Sequence, residues 1–414
     1  MDVWIALRAD NQTGSGTAMD PFHGGLVVGA PLAVSLSAPD FEAIGDSGAQ
    51  PHGFIDGDIV QITGVTGEGA NRWNQMFSVY DVNDDGTTFK FGVGEPQIAA
   101  PSGSPRVSRV RFLFDEVMRA VPANMKVNIG PGEFLTRGYG QVWTENAYVW
   151  ALYGQEWLGG WQPKTGQKIV GAGIDVTTLK LLGAGLVNVQ TSYATFMLAE
   201  PHYHAVGMPI EPAGATPIAA LKHFEISDLT VDCNVDNQPI RFDLHPAAPW
   251  ANVACGGVRV LGSHTRINRV KAINWGTKSL KQDCFVLSII QASGQPSDVG
   301  GNPVVTATDF NGIEDCVAIQ PSKNNARETT ILHIGGVKNA TNHAQGFGTA
   351  AYIRQNYVDA QDKGQPSPPT AFFLRGRVQN ATQVAVHCGC WPFPRRPRRR
   401  IRRGGGRRLG ERVL

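Results

Sequence analysis

The 414-residue sequence has no run of 18 or more apolar residues, so no segment is long and apolar enough for a membrane-spanning helix. Charge is sparse: Asp, Glu, Lys and Arg make up 17% of the chain, which argues against a charged helical protein. The opening Met1-Asp-Val-Trp-Ile-Ala-Leu7-Arg8 lacks the basic stretch and long apolar core of a secretory signal. The expectation is a protein that leaves the cell another way, stays inside, or has its signal outside this sequence. Six cysteines stand at 233, 255, 284, 316, 388 and 390, and the first four lack the close paired spacing of a zinc site. They are read as buried free thiols, since Cys behaves as a small apolar residue. No residue is assigned as a metal ligand.

Lysine is absent from Arg395 to Leu414, where ten arginines accompany a single acid, Glu411. The remaining chain carries 27 basic and 34 acidic residues, a net −7, which makes its body a poor nucleic-acid binder. Residues 388–414 have the Arg, Gly and Pro composition of GC-rich DNA translated in a wrong frame, or of a solvated disordered tail.

What the chain does have is Gly 49 and Pro 26, suited to many short strands and turns. It also has a repeat. Ile226-Ser-Asp-Leu229-Thr-Val231, Ile267-Asn-Arg-Val270-Lys-Ala272, Ile313-Glu-Asp-Cys316-Val-Ala318 and Ile353-Arg-Gln-Asn356-Tyr-Val358 share one template, starting 41, 46 and 40 residues apart. That spacing falls in the range of stacked repeats. Each copy reads as two short strands meeting at a tight polar corner, with the first, fourth and sixth positions facing inward. Asn356 is the polar exception and reads as a rung of an amide ladder. Asp228 and Asp315 occupy the corner, where a short acid bonds to local backbone. A chain that keeps turning such a corner around one lumen is a β-solenoid.

Upstream, Val3–Leu7 reads as a strand, and Val107 to Ala120 as a short, partly buried helix ended by Pro122. Between Gly25 and Arg106, alternating strands such as Gly57–Thr63, Met76–Tyr80 and Thr88–Phe91 predict a small antiparallel β unit. Asp81-x-Asn83-x-Asp85-Gly86 imitates half of a calcium-binding loop, but position twelve is Gly92 where an acid is needed. A plain hairpin turn is the first reading and a weak calcium site the second.

The string Gly14-x-Gly16-Thr17, Asp20-Pro21-Phe22, a helix, Val127-x-Ile129-x-Pro131-Gly132-x-Phe134, then Gly171-Ala172-Gly173 resembles the entry into right-handed parallel β-helices of the pectate-lyase-like superfamily. Ile226–Asp232 is similar to one of its ordinary coils. The resemblance implies an all-β fold: a right-handed parallel β-helix over residues 1–24 and 105–387, with a capping helix at its N-terminal end. Residues 25–104 form an inserted small antiparallel β module, loosely similar to inserts of phage tail and surface proteins.

The resemblance also implies a polysaccharide groove on one outward strand face, walled by long loops. Mapped onto this chain, Asp232, Asp236, Asp283, Lys281 and Arg259 are the candidate catalytic residues, and Trp250, Trp275, His245 and Asn234 the candidate substrate-binding ones. Paired carboxylates can act as acid and base across a glycosidic bond. A Lys or Arg can instead remove a proton beside a uronate carboxylate that a bound cation has acidified. Calcium is the cofactor that this second chemistry would use. Against these roles stand plainer ones: Asp232, Asp236 and Asp283 as loop-capping or solvated acids, and Trp250 and Trp275 as loop anchors.

No catalytic set of the known enzymes is present. The polygalacturonase set is missing, and the Arg-x-Pro-x-x-Arg of pectate lyases is absent from the body, the tail around Arg396-Pro397 being Arg-rich by composition and not counted; Phe242-Asp-Leu-His-Pro246 is only faintly similar to the alginate-epimerase motif. The expectation is therefore a protein that binds or degrades a polysaccharide, extracellular or on a virion or cell surface, with a homotrimer compatible with the fold. The alternative is a non-catalytic surface or phage-tail-like adhesion protein.

Overall fold

A computed structural model describes residues 2–37, 42–92, 101–143, 160–182, 200–208, 220–237, 254–277, 284–292, 310–319, 329–336, 350–354, 357–358, 370–375 and 383–387. The fold is mostly β, and its largest element is a parallel sheet. Strands Asp2–Ala6, Lys126–Ile129, Lys168–Gly171, Glu225–Asp232, Arg266–Ile273, Asn311–Glu314, Ala350–Arg354 and Gln383–His387 pair in that order, each parallel to the next. A second ladder joins Glu200–Gly207, Ala254–Ser263, Cys284–Ala292, Thr329–Gly336 and Thr370–Arg375, again all parallel. From residue 200 onward the chain alternates between the two ladders, advancing one strand along each at every visit.

Register explains why the repeat is visible in the sequence. Val3, Val127, Ile169, Ile226, Ile267, Ile313, Ile353 and Val386 stand in line across eight strands. Three positions past the corner, Val231, Ala272 and Ala318 stand in line with Leu179 and Val358. In the first three copies of the template all nine inward side chains are at most 1% exposed. Each large aliphatic enclosed this way contributes roughly 1.5–3 kcal/mol. The second ladder supplies Val206, Val258, Leu287 and Leu332 at matching positions. Cys233, Cys255, Cys284 and Cys316 are buried and unbridged, as expected. Burial pushes the Cys316 thiol up to about 12. Asn356 lies outside the described residues.

The corners are left-handed. Asp228, Arg269 and Asp315 have φ of 58°, 49° and 53°, which turns the strand while the inward pattern continues. The Asp228 carboxylate, expected to bond local backbone, instead pairs with Arg269 of the next strand through two contacts, Oδ1–Nε 2.5 Å and Oδ2–Nη2 2.7 Å. A second left-handed line precedes the strands, comprising Asn124, Gly166, His223, His264 and Phe310 with φ between 54° and 71°. Its rings meet tilted at 41°, with centroids 4.8 Å apart for His223–His264 and 5.0 Å for His264–Phe310. Just after this turn, enclosed Asn311 accepts the Thr265 N–H at 3.0 Å and donates to the Gly262 carbonyl at 2.8 Å.

Residues 26–112 contain antiparallel sheets. The long Ser102–Phe112 strand pairs with Ile59–Thr66, Leu26–Val28 and Leu32–Ala33, while Glu42–Asp46 pairs with Ser35–Ser37 and Thr88–Gly92. A separate core of Phe54, Trp73, Phe77, Phe89 and Phe91 with neighbouring aliphatics sits inside them. The helix expected over 107–120 is confined to Leu113–Ala120. Its first half is strand because Val107 to Phe112 alternates: Val110 and Phe112 are buried, while Arg111 is exposed and Arg109 half-buried. The helix buries Phe114 and Met118 and packs against Phe22–His23, the terminal strand of the large ladder, and against Gly132–Thr136. Val121 ends it in an extended conformation, as the residue before Pro122 should.

Direction of facing is testable on one strand. Ile267→Ala should lower stability by about 2–5 kcal/mol in urea denaturation. Arg266→Ala, on the exposed neighbouring position, should change it by less than about 0.5 kcal/mol. Equal effects would contradict the inward assignment.

Candidate functional site

Beyond the corner, the outward positions of the large sheet are mixed: one line runs Leu135, Lys180, Asp232 and Ile273, the next Glu133, Thr178, Thr230, Lys271 and Val317. Lys180 lies in register with Asp232, and Thr230 with Lys271. The Lys180 ammonium reaches Glu133 of the preceding strand, at 3.2 Å to Oε1 and 3.3 Å to Oε2. Lys271 reaches Asp175 at 2.6 Å, and the Asp175 N–H bonds the Thr230 hydroxyl at 3.1 Å. Opposite charges on this flank therefore meet across parts of the chain far apart in sequence.

Asp232 is its most enclosed acid, 7% exposed. Its Oδ1 accepts the Asn234 N–H at 2.9 Å and the Asn274 amide at 2.9 Å. Burial raises its pKa, and the Glu133 charge adds to that. The Asn274 and Asn234 hydrogen bonds and the Lys180 charge work the other way. Asn234, left-handed at φ 48°, donates its own amide to the Leu181 carbonyl at 3.0 Å. Asp236 is half-buried in the short turn Val235–Asn237 that follows. The structure thus groups Asp232, Asn234 and Asp236, and adds Glu133, Lys180 and Asn274, which the sequence reading did not single out.

Other expected site residues fall elsewhere. Trp275 follows Asn274 but is fully enclosed in the main core, where it anchors the turn and presents no ring face outward. Arg259, expected to point out from the strand, is only 8% exposed and belongs to the second ladder. Its guanidinium lies over the Phe285 ring at 4.8 Å, and its charge opposes the burial that raises the pKa of Tyr139. The planar cation is covered because both faces of this strand are packed. Asp283, Lys281, Trp250 and His245 lie outside the described residues.

A second place was not anticipated. Where the antiparallel sheets meet the helix, a cleft of about 500 Å³ opens. Residues 55–59 and the Arg109–Phe112 stretch form one side; Asp115, Glu116, Arg119, Arg137 and Gly160 form the other. Arg109 pairs with Asp58 and bonds the Gly53 carbonyl, and Arg111 pairs with Glu116. At its base Asp115, 1% exposed, accepts the Thr136 hydroxyl at 2.6 Å and the Arg137 N–H at 2.8 Å. Thr136 in turn accepts the Gly138 N–H at 2.8 Å and the Trp161 indole N–H at 3.0 Å, so its hydroxyl is fully used. Gly160 lies so close that a Cβ there would sit 2.0 Å from the Asp115 carboxylate. Burial raises the Asp115 pKa to about 6, opposed by these hydrogen bonds and by the charges of Arg137 and Arg119. Sequence reading missed it because Asp58, Arg109, Asp115 and Arg137 converge only in three dimensions.

The Asp81–Gly86 segment is a closed turn. Asn83 Oδ1 takes the Thr87 and Thr88 N–H groups, each at 2.9 Å, Asp85 takes Thr87, and Asp81 pairs with Lys90 at 2.6 Å. Among the described residues no cluster of three or more His, Cys, Asp or Glu is arranged to hold a metal. Nor is any of their helices long and apolar enough to cross a membrane. No protein-family model matches the chain, and no curated protein matches it.

The Asp115 pKa sets a pH dependence. The folded value near 6 lies above the ordinary 3.8, so the fold holds an extra proton between these values. That stabilisation is complete below about pH 4 and is lost as pH rises through 6, amounting to about 3 kcal/mol. Asp115→Asn should therefore remove this component from the stability-against-pH curve measured by thermal melting. Parallel curves for the two proteins would contradict it.

Proposed function

We propose that the chain is a right-handed parallel β-helix that binds an extended polysaccharide along its outward flank, with Glu133, Lys180 and Asp232 at the centre of the contact. The observation that carries this reading is the group of charged side chains on that flank, where Lys180 meets Glu133 and Lys271 meets Asp175. Strands follow one another at about 4.8 Å, so the surface repeats along its length as a linear glycan does. Hydroxyl-rich chains need both donors and acceptors, and Lys180 and Lys271 supply donors while Glu133 and Asp175 supply acceptors.

The alternation of the chain between two parallel ladders supports the helical winding, and the Leu113–Ala120 helix against the terminal strand suits a cap. A cap protects unpaired strand edges from pairing with other chains. For chemistry, Asp232 is the acid favoured by its raised pKa and Glu133 the second carboxylate, with Lys180 bonding Glu133 and its charge felt by Asp232. A polysaccharide ligand agrees with a position outside the cell or on a virion or cell surface.

A second reading, a non-catalytic adhesion protein with the solenoid as a stiff stalk, is favoured by one observation. Asp232 Oδ1 already accepts two hydrogen bonds from neighbouring amides, the arrangement of a structural acid. A glycan array, with reducing-end and ultraviolet unsaturation assays on the bound glycans, separates the two. Binding with product supports catalysis, and binding without product supports adhesion. Lys180→Ala should weaken array binding about tenfold, the worth of one charge-assisted hydrogen bond. Undiminished binding by this variant, or silence across the array, would remove the flank from the account.

A further inference from the structure

Three rings occupy the left-handed line of turn residues that precedes the large sheet, and two of them are imidazoles. His223 and His264 are exposed, and Phe310 beyond them is 54% exposed. The same line uses Asn124 and Gly166, the residue types that reach positive φ most cheaply. Bulky rings hold that conformation only at a backbone cost, so their presence calls for a reason. Contact between rings is part of it, but a phenyl group, as at Phe310, supplies contact equally well. Imidazole adds nitrogen lone pairs on the solvent side.

The backbone beneath sets the two imidazoles side by side. His223 donates its N–H to the Ser263 carbonyl at 3.0 Å, and Leu221 and Lys222 pair in parallel with Gly262 and Ser263. After the turn, Glu225 and Ile226 pair with Arg266 and Ile267. The ring centroids are held 4.8 Å apart with planes inclined at 41°, which brings one pair of ring edges together. Among the described residues the His223 ring makes no hydrogen bond. His264 Nδ1 lies 3.1 Å from the Ser263 hydroxyl. With Nδ1–H donating to that oxygen, the lone pair sits on Nε2, the nitrogen farther from the backbone.

We infer that His223 and His264 form a chelating site for a divalent transition-metal ion, copper(II) before nickel(II) and zinc(II), with solvent completing the coordination. Imidazole is a ligand that these three ions share, and copper(II) binds it most tightly of them. Two nitrogens at about 2.0–2.1 Å from one ion lie roughly 3 Å from each other. Exposed rings with centroids 4.8 Å apart reach this by turning about their soft χ2 torsions, with the backbone unmoved. Ser263 supplies the outer hydrogen bond that fixes the tautomer, as metal-binding histidines generally have. Phe310 meets His264 at 5.0 Å and leaves the His223 ring as the metal partner. The site uses two protein ligands, so it needs no cluster of three. A bound ion would clip two successive passes of the chain together at the solvent face. Nothing in this depends on the reading of the Asp232 flank.

The test is calorimetric titration of the full chain with copper(II), nickel(II), zinc(II) and calcium in separate runs, with electron paramagnetic resonance of the copper form. The chain has ten histidines, so the readout is the difference between the unaltered protein and its variants. His223→Asn and His264→Asn keep a residue that tolerates the left-handed turn, and each should lower copper affinity by at least about tenfold. Ser263→Ala should cost about tenfold, through the lost outer hydrogen bond. Copper should raise the melting temperature of the unaltered protein and not that of the double variant. At one equivalent of copper the unaltered protein should show hyperfine structure from two nitrogens, a reading that needs no substitution. Calcium, which prefers oxygen ligands, should not distinguish the proteins. Identical copper isotherms in the unaltered protein and the folded double variant would overturn the inference. So would a one-nitrogen spectrum, or loss of affinity in only one of the two single variants, which would mean a lone histidine and no chelate.

Discussion

One constraint governs the rest of this structure: a single inward position must be filled by an apolar side chain at every pass of the chain. The line from Val3 through Ile226, Ile267 and Ile313 to Val386 meets it eight times. A parallel ladder leaves no slack in this respect. A slip of one residue in any strand would turn Ile267 outward and bring Arg266 or Asn268 into the core. The left-handed corners at Asp228, Arg269 and Asp315 keep the register intact while the strand bends. They hold short-range geometry that most residues adopt only at a cost, and the Asp228–Arg269 pair sits on the solvent side of it.

Regularity on the inside has a consequence outside. Because each pass is fixed relative to the last, outward residues also fall into lines, and the charges of Glu133, Lys180, Asp175 and Lys271 meet across coils that are far apart in sequence. The region around the Leu113–Ala120 helix obeys a different logic. There an antiparallel unit with its own aromatic core meets a short helix, and the seam leaves a charged cleft over the buried Asp115.

Much of the fold was legible in the sequence because period-two alternation and corner residues are local. Ile226, Leu229 and Val231 announce their facing without knowledge of neighbours, and so do Thr88–Phe91 and the Asn83–Gly86 turn. Val107–Phe112 was misread because two residues at helical spacing, Val110 and Phe114, also fit a strand that runs into a helix. The site was legible only in part. Asp232 and Asn234 share a turn, so sequence proximity was enough to pair them. Trp275 looked like a platform, yet its enclosure depends on what packs over it. Arg259 followed the alternation rule, which gives the face of the strand but not what covers that face. Asp115 gave no signal, since its environment is built from Thr136, Arg137 and Gly160, distant in the chain.

Methyl–methyl nuclear Overhauser contacts in the intact, isoleucine-labelled protein test the continuous winding most directly. The Ile267 methyls should contact those of Ile226 and Ile313, while Ile226 and Ile313, two strands apart at roughly 9–10 Å, should show no contact. A direct contact between Ile226 and Ile313, or the absence of both neighbouring contacts, would contradict the stacked order on which every outward surface described above depends.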